Sequence, residues 1–460
     1  MMTRTRDQDF RQGPLLKKFV MFSLPILAMN MLQLLFNAVD MVIAGRFAGH
    51  TALGAVGATG ALINLLINLF MGLSVGTSVV VAQDYGAGKY GDVSRSVHTS
   101  IRLSTFSSLP VMAIGIFFCE PLLRMMGTPE DILGLSALYM KIYFLGLPAA
   151  MVYNFGSAVL RAVGDSRHPM YYLIAAGLLN VGLNIFFVAS LGMGVDGLAL
   201  ATVISQYLSV ALLLVHLARA EGPIRLNIRA LKSDRQKLKQ IIRIGLPAGL
   251  QGMLFSISNV LIQSAVNGFG TIMVAASSAA SNIEGFVGTS MNAFYNAAIT
   301  FTGQNMGAKK YDRIDTIAKI STGLIVFTWI TMGGLTMLFA RPLLNIYTDN
   351  PQVVELGIVR INILMAAYFT CGMMNVYPGI TRGMGYSIPP MLSTLIGACL
   401  LRIVWLWTVF AAWPTPAVLF LCYPVTWLIS GTGQVGIFLY ARKKVRRRDG
   451  EAIGAAVGKQ

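Results

Sequence analysis

Gln83-Asp84-Tyr85-Gly86-Ala87-Gly88-Lys89-Tyr90 returns as Gln304-Asn305-Met306-Gly307-Ala308-Lys309-Lys310-Tyr311, 221 residues further along the chain. Arg161, Gly164, Pro169 and Met170 recur at the same offset as Arg382, Gly385, Pro390 and Met391. So does Pro121-Leu122-Leu123, as Pro342-Leu343-Leu344. Three separate matches on one offset mark an internal duplication, which the fold must repeat.

The surroundings of these motifs say what is duplicated. Hydrophobic residues make up 55% of the 460 positions and charged ones only 12%, with a mean hydropathy of +0.65. Soluble domains carry about 25% charged residues. A membrane-spanning helix needs roughly 20 mostly apolar residues. Such stretches recur at about 18–44, 53–82, 97–118, 134–159, 170–192 and 197–218, and again at 243–266, 273–302, 317–340, 354–380, 389–411 and 417–441. The expected fold is an all-α integral membrane protein of twelve transmembrane helices in two six-helix lobes. Six spans per copy is an even number, so the copies are parallel repeats about an axis along the membrane normal, with a cavity between them. The expected parts are an N-terminal tail (1–16), an N-lobe (17–218), a linker (219–242), a C-lobe (243–441) and a basic tail (442–460).

The net charge of +17 is spread in short basic runs between apolar segments rather than gathered on one soluble face, which argues against nucleic acid. Arg4, Arg6, Lys17, Lys18, Lys89, Arg95, Arg161, Arg167, the linker residues Arg225, Arg229, Lys232, Arg235, Lys237 and Lys239, then Lys309, Lys310, Arg313, Arg382 and the 442–448 run all fall on one side. Only Arg46, Arg124 and Arg341 fall on the other, so both termini are expected in the cytoplasm. Residues 1–14 are polar and lead into a full span, so no cleaved signal peptide is expected. Cys119, Cys371, Cys399 and Cys422 lie in or beside apolar segments and read as small buried hydrophobes.

Polar groups inside a membrane are costly and face the bundle interior or a watery cavity. Asn30, Gln33, Asn37 and Asp40 lie three, four and three residues apart, on one stripe of the first helix. Asp40 is the only carboxylate of that span. Desolvation favours its neutral form and a nearby cation its charged form, so it suits exchange of a proton for another cation. Asn180, Asn184 and Thr202 offer neutral oxygens around such a cation, or ordinary interhelical hydrogen bonds. The second-copy counterpart of Asp40 falls near Leu261 or Ile262, both apolar, which confines ion chemistry to the N-terminal half. Glu284, the carboxylate of the C-terminal half, is the second candidate site residue, or else pairs with Arg402 in a buried ion pair that only fixes packing. Asn282, Asn292 and Asn296 form a stripe opposite Glu284. Arg360 and Lys141 are expected to snorkel toward the interface.

Other chemistry is argued against. Gly72-Leu73-Ser74-Val75-Gly76 has the G-x-S-x-G spacing of a nucleophile elbow, but it lies inside an apolar helix rather than at a strand-to-helix turn. His50, His98, His168 and His216 show no metal-ligand spacing, and no phosphate-cradling loop exists. No enzyme activity and no cofactor are expected.

Asn37-Ala38-Val39-Asp40-Met41-Val42-Ile43-Ala44-Gly45, the Gly-Ala breaks after the second and eighth helices and the paired Arg161 and Arg382 loops resemble the multidrug and toxic compound extrusion (MATE) family. The likeness runs from about Leu24 to Tyr440. It implies V-shaped paired lobes that export organic cations, often drugs, in exchange for H+ or Na+ by alternating access. Members with an N-lobe ion site use an Asp of helix 1 with polar groups of helices 5 and 6, matching Asp40, Asn180, Asn184 and Thr202; Asp40 would be the metal ligand under Na+ coupling. Some members carry a second Asp where Asn184 stands. Another branch uses acids in helices 7 and 10, and neither helix here has one in its middle, so the chain sits nearer the DinF-like branch. Gln33, Asn37, Gln251, Asn259, Glu284 and Asn375 are the expected lining of a substrate cavity. The alternative cargo is a lipid-linked precursor moved by a flippase. A monomer in the inner membrane, in contact with lipid, is expected.

Overall fold

Hydrocarbon offers a backbone N–H or C=O no partner, so a chain this apolar satisfies its amides within helices. The computed structural model describes residues 9–227 and 232–457, which hold helices and no strand. Arg4, Arg6 and Arg229 lie outside the described residues. The first copy comprises α1 Leu15–Ala48, α2 Gly49–Gly86, α3 Tyr90–Phe117, α4 as the bent pair Glu130–Leu145 and Leu147–Ala162, α5 Arg167–Ser190 and α6 Val195–Arg219. The second comprises α7 Arg235–Asn267, α8 Thr271–Gly307, α9 Tyr311–Leu338, α10 as the bent pair Pro351–Ala366 and Tyr368–Gly383, α11 Ile388–Phe410 and α12 Pro416–Val457. Among the described residues nine helices are long and apolar enough to cross a membrane, and the bent pairs bring the number to eleven. The twelfth, α8, has 37 residues, but Ser277, Ser278, Ser281, Asn282 and Glu284 dilute its hydropathy.

The duplication holds at the level of backbone geometry. The bends of α4 and α10 are 47° and 52°. After α2, Lys89 N–H donates to Asp84 O over 3.0 Å, and after α8, Lys310 N–H donates to Asn305 O over 2.9 Å. Both turns need a left-handed residue. Gly88 takes it at φ 71° and Lys309 at φ 56°, where a side chain is strained and glycine is not. Gly164 and Gly385, at φ 104° and 93°, end the paired arginine turns after α4 and α10.

Leu24–Gly249 forms one compact unit, and Phe10–Ser23 joins the chain from Leu250 onward in a second. Pro25 and Pro247 stand inside α1 and α7 close to these boundaries, each removing one helical hydrogen bond. The first unit packs Val81 of α2, Val97 of α3, Val159 of α4 and Leu213 of α6 into one core, and Phe144 and Phe155 of α4 into another. In the second, α8 packs against α10, which packs against α12. Large apolar side chains such as Phe117, Leu338 and Trp407 point outward, as lipid contact requires. All four cysteines are free and buried.

The repeated motif docks a different segment in each unit. In the first, Asp84 receives Lys237 Nζ at 2.8 and 2.7 Å, and Ser96 Oγ donates to the same carboxylate over 2.9 Å. In the second, Asn305 stands where Asp84 stood and donates to Phe10 O over 3.2 Å, while Phe10 stacks on Phe301 with centroids 3.9 Å apart. A charged pair thus anchors the entry to α7, and an aromatic plug anchors the entry to α1.

Gly72 and Gly76 are packing positions. A Cβ on Gly72 would strike the backbone of Gly249, and one on Gly76 the carbonyl of Ile241; Gly249 would in turn strike Leu69 O. Small residues four apart on both helices let α2 and the first part of α7 meet backbone to backbone. Gly249→Ala is expected to cost about 1–3 kcal/mol through overpacking, seen as a lower thermal midpoint in detergent. Gly285→Ala, whose Cβ meets nothing within 4 Å, should leave the midpoint unchanged.

Candidate functional site

In the first unit α1, α5 and α6 bring the expected ion-site residues together. Asn184 Nδ2 donates to Asp40 Oδ1 over 2.6 Å and lies 3.2 Å from Asn180 Oδ1. Asn180 Nδ2 reaches Thr202 Oγ1 at 3.4 Å, and Thr202 Oγ1 donates to Leu198 O over 3.0 Å. Asn184 is fully buried, and its Oδ1 has no hydrogen-bond partner. An unsatisfied buried carbonyl oxygen one residue's reach from a carboxylate is the donor chemistry a hard cation takes. Two of the three helices that carry the site loosen into π-helical turns just beyond it, α1 at Ala44–Ala48 and α5 at Ile185–Ser190. Such turns cluster at functional sites because they free backbone carbonyls from the regular ladder. Ile43, Ala44, Val188 and Leu198 pack beneath the site, with Tyr139 of α4 against them. The packing of Tyr139 against them had no sequence signal, since it depends on how α4 lies against α1, α5 and α6.

Gln33 and Asn37, on the same stripe as Asp40, are exposed. Asn282 and Asn292 are exposed and Asn296 is half-buried, on a face of α8 away from buried Glu284, as expected.

The second unit departs from the expected pairing. Glu284 is held by Arg360, not Arg402: Arg360 Nε donates to Oε1 over 2.9 Å and Nη2 to Oε2 over 3.0 Å, with Nη1 on Ser277 Oγ at 2.5 Å. Arg360 therefore does not snorkel; it is 6% exposed, because a two-pronged carboxylate contact inside the bundle outweighs the route to water. Lys141 is exposed, as expected. Arg402 is 0% exposed and pairs with no carboxylate among the described residues. Its Nη1 donates to Asn259 Oδ1 over 2.7 Å, and its guanidinium lies between the rings of Phe255 and Tyr423, 5.0 and 4.7 Å from their centroids. Its Nε and Nη2 have no hydrogen-bond partner. Gln251 accepts from Arg382 Nη2 over 2.6 Å, and Asn375 donates to Cys371 O over 2.8 Å on an exposed face of α10. Of the expected cavity residues, Gln251, Asn259 and Glu284 thus serve buried arginines.

Superposing the repeats by their offset gives this difference a shape. Asp40, Asn180, Asn184 and Thr202 correspond to Leu261, Leu401, Trp405 and Tyr423. Asn259, Arg402 and Tyr423 occupy the same helices of the second copy and fall within two residues of those counterparts. Where one copy sets a carboxylate among amides, the other sets a guanidinium against an amide and two rings.

Two copies of a six-helix membrane unit, one carrying a carboxylate on its first helix and the other a guanidinium on its fifth, define a transporter of the repeat-built class. The sequence profile of the MatE family matches residues 25–186 and 247–408, one match in each copy. The chain belongs to this family, whose members are transporters and not enzymes. It is 28% identical over 439 residues to the Bacillus subtilis protein named "Probable multidrug resistance protein YpnP", covering 95% of this chain and 98% of that one. It is 25% identical over 401 residues to a FAD transporter of Shewanella oneidensis, covering 86% and 87%. Among solved structures, a MOP-superfamily transporter from Pyrococcus furiosus superposes with a TM-score of 0.87 at 22% identity, covering 96% and 98%.

Glu284→Gln is expected to cost about 3–5 kcal/mol, because it leaves the Arg360 cation buried without its counter-charge. Replacing both residues by Met should cost much less. Thermal unfolding in detergent checks both, and equal losses would remove the ion pair as the cause.

Proposed function

We propose that the chain is a secondary antiporter that expels organic cations, drugs among them, in exchange for H+ or Na+ at Asp40. The observation that carries this reading is the Asp40–Asn184 contact beside the unpartnered Asn184 Oδ1. A proton or a sodium ion there neutralises the carboxylate, and Na+ also gains Asn184, Asn180 and Thr202 as oxygen donors. Loss of the negative charge weakens attraction for a cationic cargo and alters what α1 must bond to. A ligand shifts inward- and outward-open states only by its difference in affinity for them, and competition at one carboxylate supplies that difference. The names of the relatives as multidrug resistance proteins support the cargo class. The same reading gives Gln33 and Asn37 to the cargo path, in the inner membrane with both termini cytoplasmic.

Arg402 supports a second reading, in which the cargo carries an anionic group. A buried guanidinium without a carboxylate suits a carboxylate or phosphate, and a relative at 25% identity is a FAD transporter.

Sealed proteoliposomes with pH and Na+ gradients imposed separately test both. With the protein inserted normally, Asp40→Asn should reduce gradient-driven efflux of a cationic dye to the level of protein-free vesicles. Unchanged efflux in that variant sinks the coupling mechanism. A flavin dinucleotide in place of the dye, compared between the wild type and Arg402→Met, decides the sign of the cargo.

A further inference from the structure

The four histidines show no metal-ligand spacing in sequence, yet two of them meet in the folded first unit. Asp165 sits in the turn between α4 and α5, His168 in the first turn of α5 and His216 in the last turn of α6. One ligand atom from each lies within 4.8 Å of the other two, and the imidazole centroids are 4.5 Å apart. We propose that Asp165, His168 and His216 bind one divalent ion of the zinc class, clamping the α4–α5 turn to the end of α6.

The donor set fits that class. Two imidazoles and a carboxylate are borderline ligands that suit Zn2+, Co2+ or Ni2+ and discriminate against Mg2+ and Ca2+, which take oxygen cages. Tetrahedral bonds of the usual length put ligand atoms about 3.4 Å apart, so the wider separations close by about 1 Å, the 2.5 Å Asp165–His168 contact opens by about as much, and water fills the fourth position. Each ligand is already held. Asp165 Oδ1 accepts the backbone N–H groups of Arg167 and His168 over 3.1 and 3.2 Å, so Oδ2 is the oxygen turned to the imidazoles. His168 Nδ1 lies 2.5 Å from that Oδ2, sharing a proton that the ion displaces into solvent. His216 Nδ1 lies 2.8 Å from Tyr172 Oη, a contact that orients the ring and presents Nε2 to the ion, as outer-shell partners of ligating histidines do. All three ligands are partly exposed, so an ion can enter.

The second copy shows that the turn does not need these residues. Gly164 and Gly385 share the left-handed conformation; Gly164 N–H bonds Arg161 O over 2.9 Å and Gly385 N–H bonds Arg382 O over 2.7 Å. Asp165 and Tyr386 close the same five-residue loop, onto Leu160 O and Thr381 O. The counterparts of Asp165, His168 and His216 are Tyr386, Pro389 and Ile437, none of them a match for the triad. The same backbone is built without a ligand set, so the triad is an addition to the fold and not a requirement of it. Its position gives the ion leverage. Immediately beyond His216 the chain doubles back, with Leu226 N–H on Leu217 O at 2.9 Å and Asn227 N–H on His98 Nε2 at 3.1 Å. An occupied site ties the start of the connection between copies to α5.

The test uses the full chain in detergent without a polyhistidine tag. One molar equivalent of Co2+ should give the visible d–d bands of a four-coordinate nitrogen and oxygen site, bleached by Zn2+. Zn2+ should raise the thermal midpoint, and Mg2+ and Ca2+ should not. His216→Ala should lose the bands and the Zn2+ shift, each read against its own metal-free state. Tyr172→Phe should keep one-to-one binding with Zn2+ affinity weakened about 10- to 100-fold. Absence of bands in the wild type at stoichiometric Co2+, or a Zn2+ shift that survives in His216→Ala, overturns the proposal. None of these readouts involves transport, so the outcome is independent of the coupling role of Asp40.

Discussion

A polar side chain in hydrocarbon must find its partner within its own bundle, because no water is there to complete its hydrogen bonds. The chain meets that constraint in two ways. Arg360 and Glu284 neutralise each other through a two-pronged contact. Asp40 and Arg402 have amides for partners instead, so neither is neutralised by an opposite charge among the described residues. A buried pair that closes on itself is a fastener, whereas a buried charge left open has its state decided by whatever ion reaches it. Asn184 Oδ1 and the Nε and Nη2 atoms of Arg402 mark where each open charge remains incompletely served.

Duplication gave both copies the same scaffold for such charges. The copies share their bends, their left-handed turns and the helices that carry the polar groups. Divergence then put the open charges on different helices, with apolar Leu261 as the counterpart of Asp40 and apolar Val181 as that of Arg402. The docking motif diverged in the same manner, from a lysine on Asp84 to a phenylalanine between Gln304 and Asn305. Backbone geometry was retained while side-chain chemistry changed, because helix packing depends on volume and on close-approach glycines more than on charge.

Apolar length, the offset between copies and the Asn-Gln-Asn-Asp stripe were enough to place twelve helices and the residues around Asp40. Those signals are local: a span is a run of residues, and a stripe is one helix's own periodicity. Asn184 and Thr202 were reachable because their helices follow in the same copy and the resemblance named their partners. Pairing between distant helices was not reachable in the same way. Glu284 had two arginines to choose from, and nothing in the spacing favoured Arg360 over Arg402.

The sequence by itself determined the membrane environment, the duplication, the number of helices and the isolation of Asp40, since each follows from composition or from period along one strand of text. Only the tertiary structure decided that Arg360 closes on Glu284, that Arg402 lies between Phe255 and Tyr423, and that His168 and His216 meet across 47 intervening positions. The physical reason is rotation. How far each helix turns about its axis is set by packing against its neighbours, through contacts such as Gly72 on Gly249, and that rotation selects which polar side chains face one another.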